Sequence, residues 1–246
     1  MTSPDPIAPV ATTLDTVVSR LEAIIVDDLD PGMQMQSEGD LALTCNVSRL
    51  TIREALKVLA GRGLVELSRG RKPTVREPDS SVLSGYLAVA IRRDPRALLE
   101  LGEVRQSLEV LTATLASQHA GRASLAAIEA ALEGMEAAAE RGPDAAEEYH
   151  EADVAFHEAV ALASGNRMLA FLLEGLEESL RRSFHQSFKG RMARGGSIQD
   201  VIDAHREILE RIRDRDAAGA TRAMRTHLKD AERDLRAAIR GDNTPS

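Results

Sequence analysis

Asn46-Val-Ser-Arg-Leu-Thr-Ile-Arg-Glu-Ala-Leu-Lys-Val-Leu-Ala60 has two faces at helical spacing. Ile52, Leu56 and Leu59, with Ala55 beside them, fall on one side of a helix, while Arg49, Arg53 and Lys57 recur every fourth residue on another. One face packs and the other is basic. Ser48 is placed to cap the first turn, which puts Arg49 and Arg53 near the N-terminal end. A helix entering a DNA groove makes its base and phosphate contacts from that end.

The flanking sequence supplies the rest of such a domain. Leu14, Val17, Val18, Leu21, Ile24 and Ile25 predict a helix from Thr13 that ends near Asp30-Pro31-Gly32. Ser37-Glu-Gly-Asp40 has the form of a capping box and opens a short helix over 38–43, followed by a tight turn at 44–47. After Gly61-Arg-Gly63, two β-like runs, 64–67 and 74–77, flank Ser68-Arg-Gly-Arg-Lys-Pro73, a hairpin with a basic tip. These parts make a winged helix-turn-helix over residues 12–78. Residues 1–11, with Pro4, Pro6 and Pro9, are expected to form a disordered arm.

Pro31-Gly-Met-Gln-Met-Gln-Ser-Glu-Gly-Asp-Leu-Ala42, Val47-Ser-Arg49, Ile52-Arg-Glu-Ala-Leu56 and Gly63-Leu-Val65 resemble the N-terminal domain of the GntR family of bacterial transcription regulators. The expected DNA contacts are Ser37, Ser48, Arg49, Thr51, Arg53 and Lys57, with Arg69, Arg71 and Lys72 of the hairpin tip touching phosphate or the minor groove. In the resembling family an Arg often follows the Glu of the short helix and contacts DNA. This chain has Gly39 there, so that contact is expected to be missing. Cys45-Asn46 replaces the usual Leu-Gly.

Composition bounds the remainder. A chain of 246 residues with 43% hydrophobic but only 2% aromatic content must build its core from Leu, Ala, Ile and Val, which suits helices. The net charge of −8 hides an asymmetry: residues 44–76 carry eight Arg or Lys against Glu54 and Glu66, a local +6, which leaves −14 elsewhere. A basic patch on an acidic body can bind DNA while the body limits non-specific attachment. One cysteine, Cys45, excludes an internal disulfide framework and fits a reducing compartment; it is most simply a packing residue. With no leader-like segment and no apolar run near the roughly 18 residues a membrane span needs, a cytoplasmic location is expected.

Beyond Pro78-Asp-Ser-Ser81 the pattern is helix after helix. Residues 79–94 read as a linker and connecting helix, 95–240 as an all-helical antiparallel bundle, and 241–246 as a disordered tail. Asp94-Pro95 opens a helix running to about His119, and further helices are expected at 124–140, 144–163, 167–187, 198–214 and 217–240. The expected fold is mainly α, with the winged domain followed by this bundle.

The bundle carries an unusual polar set. Ile198, Val201, Ile202, His205, Ile208, Leu209 and Ile212 form one apolar stripe with a histidine at its centre, and Ala220, Ala223, Met224, His227, Leu228, Ala231 and Leu235 form another. Asp153 and His157 stand one turn apart on a third helix. Three imidazoles and a carboxylate pointing inward suit a borderline divalent ion, zinc first, with nickel or manganese also compatible. The plainer alternative is that each His is a satisfied core residue. His150, one turn before Asp153, and His185 could line the same pocket, with surface positions the expectation for both, and His119 lies at a helix end.

The order Asp153-Val-Ala-Phe-His157, Ser164-Gly-Asn166, His205-Arg-Glu-Ile-Leu209 and Arg222-Ala-Met-Arg-Thr-His-Leu228 is similar to the FCD-type C-terminal domain of the FadR subfamily. That resemblance implies a homodimer on a palindromic operator, in which a metal helps to hold a small organic carboxylate effector, and it makes repression the expectation. Arg105 and Asn166 would contact the effector; bidentate carboxylate recognition suits Arg105, and a structural pair with Asp153 or Glu109 is the alternative. A metal-dependent hydrolase or lyase is the rival class, because such ligands can leave room for an activated water. His157-Glu158 begins like a zincin motif, but position 161 is Ala161 where a second His is required. A structural nucleoid protein would have no use for the polar set.

Overall fold

The computed structural model describes residues 12–94 and 97–242. The arm expected over 1–11, Pro95, and positions 243–246 of the expected tail lie outside them. The chain divides into two compact units between Val82 and Leu83.

The first unit holds α1 (Thr13–Asp28), α2 (Glu38–Cys45), α3 (Arg49–Gly61), β1 (Val65–Glu66) and β2 (Thr74–Val75). Thr12 and Asp15 close a capping box at the start of α1. α2 runs two residues beyond the 38–43 expected, because Asn46, at φ 54°, supplies the left-handed cap that ends it. Leu21, Ile52, Leu56 and Leu59 are fully buried where α1 and α3 cross. At about 1.5–3 kcal/mol for each such side chain, this seam stabilises the domain. The strands pair antiparallel with Val65 opposite Val75, both facing the core. A third segment joins them: Gln34 bridges Thr74, and the Met35 N–H donates to the Pro73 carbonyl at 2.8 Å.

The second unit holds α4 (Ser81–Arg93, which begins at the boundary), α5 (Ala97–His119), α6 (Arg122–Arg141), α7 (Ala146–Ala163), α8 (Arg167–Glu174), α9 (Glu177–Ala193), α10 (Ile198–Arg213) and α11 (Ala217–Asp242). A 3₁₀ turn, Pro143–Ala145, leads into α7. α5, α6, α7, α9, α10 and α11 make the bundle; α11 packs extensively on both α5 and α9, and α6 lies along α7. Its core is aliphatic and alanine-rich, with Ile128, Met135, Phe156, Ile202, Ile208 and Ile212 fully buried. The single helix expected over 167–187 is two, α8 and α9. The break falls at Gly175, where a Cβ would come within 2.6 Å of the Leu83 side chain. α11 reaches Asp242, two residues into the expected tail.

Candidate DNA-binding surface and metal centre

The basic side of α3 is exposed as its spacing requires. Ser48 caps the helix, its Oγ accepting from the Thr51 N–H at 3.1 Å and lying 2.9 Å from Thr51 Oγ1. Arg49, Arg53 and Lys57 are solvent-facing. Arg53 pairs with Glu38 at 2.9 Å and Lys57 with Glu54 at 2.9 Å. Exposed pairs of this kind are weak and exchange readily for phosphate. Ser37 is committed as the α2 cap, donating to Asp40 Oδ2 at 2.6 Å. Arg69, Arg71 and Lys72 stand exposed at the hairpin tip, which turns at Gly70 with φ 73°. Ser37, Arg53, Lys57 and this tip line one concave groove.

Gly39 has a role that the sequence did not suggest. A Cβ there would meet the Arg49 Nη2 at 3.1 Å, so the glycine makes room for the Arg49 guanidinium to lie over α2. The position where the family often carries an arginine is covered by one that α3 supplies.

In the bundle, α7, α10 and α11 bring His157, His205 and His227 together, with one ligand atom from each lying within 4.8 Å of the others. All three are buried. His205 Nδ1 lies 2.8 Å from the Val201 carbonyl, so its proton belongs there and its Nε2 carries a lone pair. That Nε2 is 3.3 Å from His157 Nε2 and 2.8 Å from Asp153 Oδ1. His157 Nδ1 is 2.6 Å from Glu109 Oε2, an arrangement that turns the other ring nitrogen toward the cluster. Among the described residues, His227 Nε2, His157 Nδ1 and Asp153 Oδ1 are buried without an aligned hydrogen bond. A satisfied histidine core would not leave these atoms so. Lone pairs converging from three rings and a carboxylate fit a divalent cation.

The electrostatics agree. Burial pushes the His227 imidazole well below its usual range, and the Arg105 guanidinium pushes the same way, so it stays neutral and able to ligate. Burial alone would raise the Asp153 carboxyl, but the polar groups around it, His205 first and the Arg105 guanidinium further off, outweigh it and hold Asp153 below the usual carboxylate range. Burial opposes ionisation of Glu109 also. The Arg105 guanidinium and His157 overcome it and hold Glu109 at about 2.

Arg105 is the partner of Glu109. Its Nε lies 2.6 Å from Glu109 Oε1, its guanidinium sits 4.5 Å from the Phe184 ring centroid, and it is 3% exposed. Arg105 is thus paired with Glu109, the partner that the structural alternative named, and is not among the residues that line the cavity beside the histidines. That cavity, of about 100 Å³, is bounded by Tyr149, His150, Asp153, Phe184, Arg191 and His227 among others. Its guanidinium is Arg191, tied to Asp234 at 2.8 Å. Asn166 is also placed elsewhere: its side chain caps α8, accepting from the Met168 and Leu169 N–H groups. His150 is buried at 5% exposure, against the surface position expected, while His185 is exposed. His119 Nδ1 bonds the Ser164 carbonyl at 2.8 Å and ties the end of α5 to the turn after α7.

Arg191 and Tyr149 were not singled out from the sequence. Arg191 sits in a helix dense with charge, and nothing in its spacing marks it as inward-facing. Tyr149 had a usable signal, since it stands four residues before Asp153 on the same face.

Comparison with known proteins gives this architecture its class. Residues 100–230 match the FCD domain, and residues 13–75 match the bacterial regulatory proteins of the gntR family. The chain is 32% identical over 206 residues to the HTH-type transcriptional regulator LutR of Bacillus subtilis (strain 168), covering 83% of this chain and 92% of that one. It is 30% identical over 223 residues to the Glc operon transcriptional activator of Escherichia coli (strain K12), covering 90% and 88%. The solved structure of Streptococcus agalactiae GntR superposes with a TM-score of 0.67 at 26% identity, over 89% of this chain and 99% of that one. The chain belongs to the GntR family of bacterial transcription regulators, in the FadR-type branch that joins a winged helix-turn-helix to an FCD domain. It is a DNA-binding regulator, and the hydrolase or lyase reading falls away with that membership. No helix among the described residues is long and apolar enough to cross a membrane.

Proposed function

We propose that this protein is a metabolite-responsive repressor of the cytoplasm, binding a palindromic operator as a homodimer through α3 and the hairpin tip. In this reading His157, His205, His227 and Asp153 hold a divalent ion, zinc first with nickel or manganese as alternatives, and a small organic carboxylate binds beside it. The observation that carries the reading is the convergence of buried, lone-pair-bearing imidazoles next to a cavity that Arg191 edges.

The chain's own residues divide the work. His205 is oriented by the Val201 carbonyl and His157 by Glu109, which is in turn held by Arg105. Arg105 is then a positioning residue for the centre. Arg191, Tyr149 and His150 face the cavity from the other walls. When bound, the ion supplies fixed positive charge to which a carboxylate adds. Support for a dimer comes from Val104 and Leu111, 46% exposed each and two turns apart on α5. An effector acts only by binding two dimer geometries with different strength, typically a 5- to 150-fold difference.

Elemental analysis of the full chain beside a His205→Ala/His227→Ala variant tests the centre. Near-stoichiometric metal in the parent and its loss in the variant is the expected result. A parent that takes up no divalent ion would overturn the metal reading and leave the DNA-binding half standing.

A further inference from the structure

A second cavity, of about 410 Å³, opens beside the first. Tyr149, His150 and Phe188 belong to the walls of both. Beyond that shared wall the lining is apolar, with Ala139, Ala146 and Met192 at its sides. The sizes differ in a way that decides something. A space of about 100 Å³ seats only a few heavy atoms, whereas about 410 Å³ lies in the range of sites that enclose a whole organic ligand.

The shared wall is also where polar atoms lack partners. Tyr149 is 4% and His150 5% exposed, yet among the described residues neither the Tyr149 hydroxyl nor His150 Nδ1 has a hydrogen bond. Leaving such groups unpaired in an apolar setting is costly, and two adjacent ones at a cavity wall mark a place where something polar sits. His150 is packed edge-on between the rings of Tyr149 and Phe188, which fixes its orientation. A carboxylate alone in the first cavity would leave the second unused and its apolar lining wet.

We infer that the effector is an amphipathic acid. Its carboxylate occupies the first cavity, a polar atom bonds Tyr149 and His150 at the shared wall, and an apolar chain of several carbons fills the second cavity. This rests on the carboxylate-effector reading above and extends it by naming what the rest of the molecule is made of.

The test is calorimetric titration of the full-length, zinc-supplemented protein with straight-chain 2-hydroxy acids of three, six, eight and ten carbons. Affinity should rise by about fourfold for each added methylene until the second cavity is full. Ala139→Leu and, as an independent variant, Ala146→Leu narrow that cavity at two different points of its lining. Each should bring the long acids down toward the affinity of the three-carbon acid and leave the latter unchanged. If the parent binds the shortest acid but gains nothing with length, or if both variants keep the parent's length dependence, the inference is wrong and the small-carboxylate reading stands. If no acid of any length binds, both fail together.

Discussion

Glu109→Gln offers the most direct test of how the centre is held. Arg105 is 3% and Glu109 1% exposed, with the guanidinium Nε 2.6 Å from the carboxylate. The substitution keeps the size of the side chain and removes its charge, which leaves a buried guanidinium without its counter-ion. Removing one member of a buried pair typically costs about 3–5 kcal/mol. The electrostatics of the same pair point in the same direction. The folded environment holds Glu109 at about 2 against an ordinary 4.5, and a depression of that size is worth on the order of 3 kcal/mol at neutral pH. Because the folded value lies below the unfolded one, this stabilisation is fully present above about pH 4.5 and is lost as the pH falls toward 2. Urea unfolding of the parent and the variant at pH 7 and again near pH 3 should therefore show a gap that narrows in acid. Arg105→Met/Glu109→Leu should recover much of the loss, since both charges then leave together. A Glu109→Gln variant within about 1 kcal/mol of the parent at pH 7, or a gap unchanged at pH 3, would refute the reasoning.

Gly190→Ala should cost about 3 kcal/mol or more, because its Cβ would fall 1.8 Å from the Asp234 carbonyl oxygen and push α9 off α11; thermal melting reads it. Gly39→Ala should leave stability equal or slightly higher, as an alanine suits a helix, while displacing the Arg49 guanidinium that lies 3.1 Å away. Fluorescence anisotropy on an operator selected in vitro should then show affinity down by about fivefold, a shift of about 1 kcal/mol; unchanged affinity would mean that Arg49 does not work from that position. Arg71→Ala should weaken binding to all sequences alike and lower the salt slope by about one, the signature of a lost phosphate contact.

Where physical periodicity was strong, the sequence was a good guide. The α1–α3 seam, the cap at Ser48 and the stripes that carry His205 and His227 follow from 3.6-residue spacing, and each lies where that spacing puts it. What was not legible depended on contacts between distant segments. The break between α8 and α9 falls at Gly175, where Leu83, a residue more than ninety positions away, leaves no room for a Cβ, and a glycine inside a helical pattern does not announce such a contact. The placement of Arg105 turned on Glu109, one turn along the same helix, and both candidate partners were visible. Only the packing of α7 against α5 shows that Glu109, shared with His157, is the one. Asn166 looked like a ligand contact through the motif around it, yet an Asn ahead of a helix has a local use that needs no ligand.

The three histidines come from α7, α10 and α11, separated by 48 residues between the first two. On the proposed metal reading, one ion joins three points far apart along a chain whose only cysteine is Cys45. It would act as a removable cross-link, closing two long loops at once and lowering the entropy of the unfolded chain much as disulfides do. Unlike a disulfide, its occupancy would follow the supply of free metal and the proton concentration. The rigidity of the sensor unit, and with it the threshold at which an effector is felt, would then be set partly by the cell's metal balance.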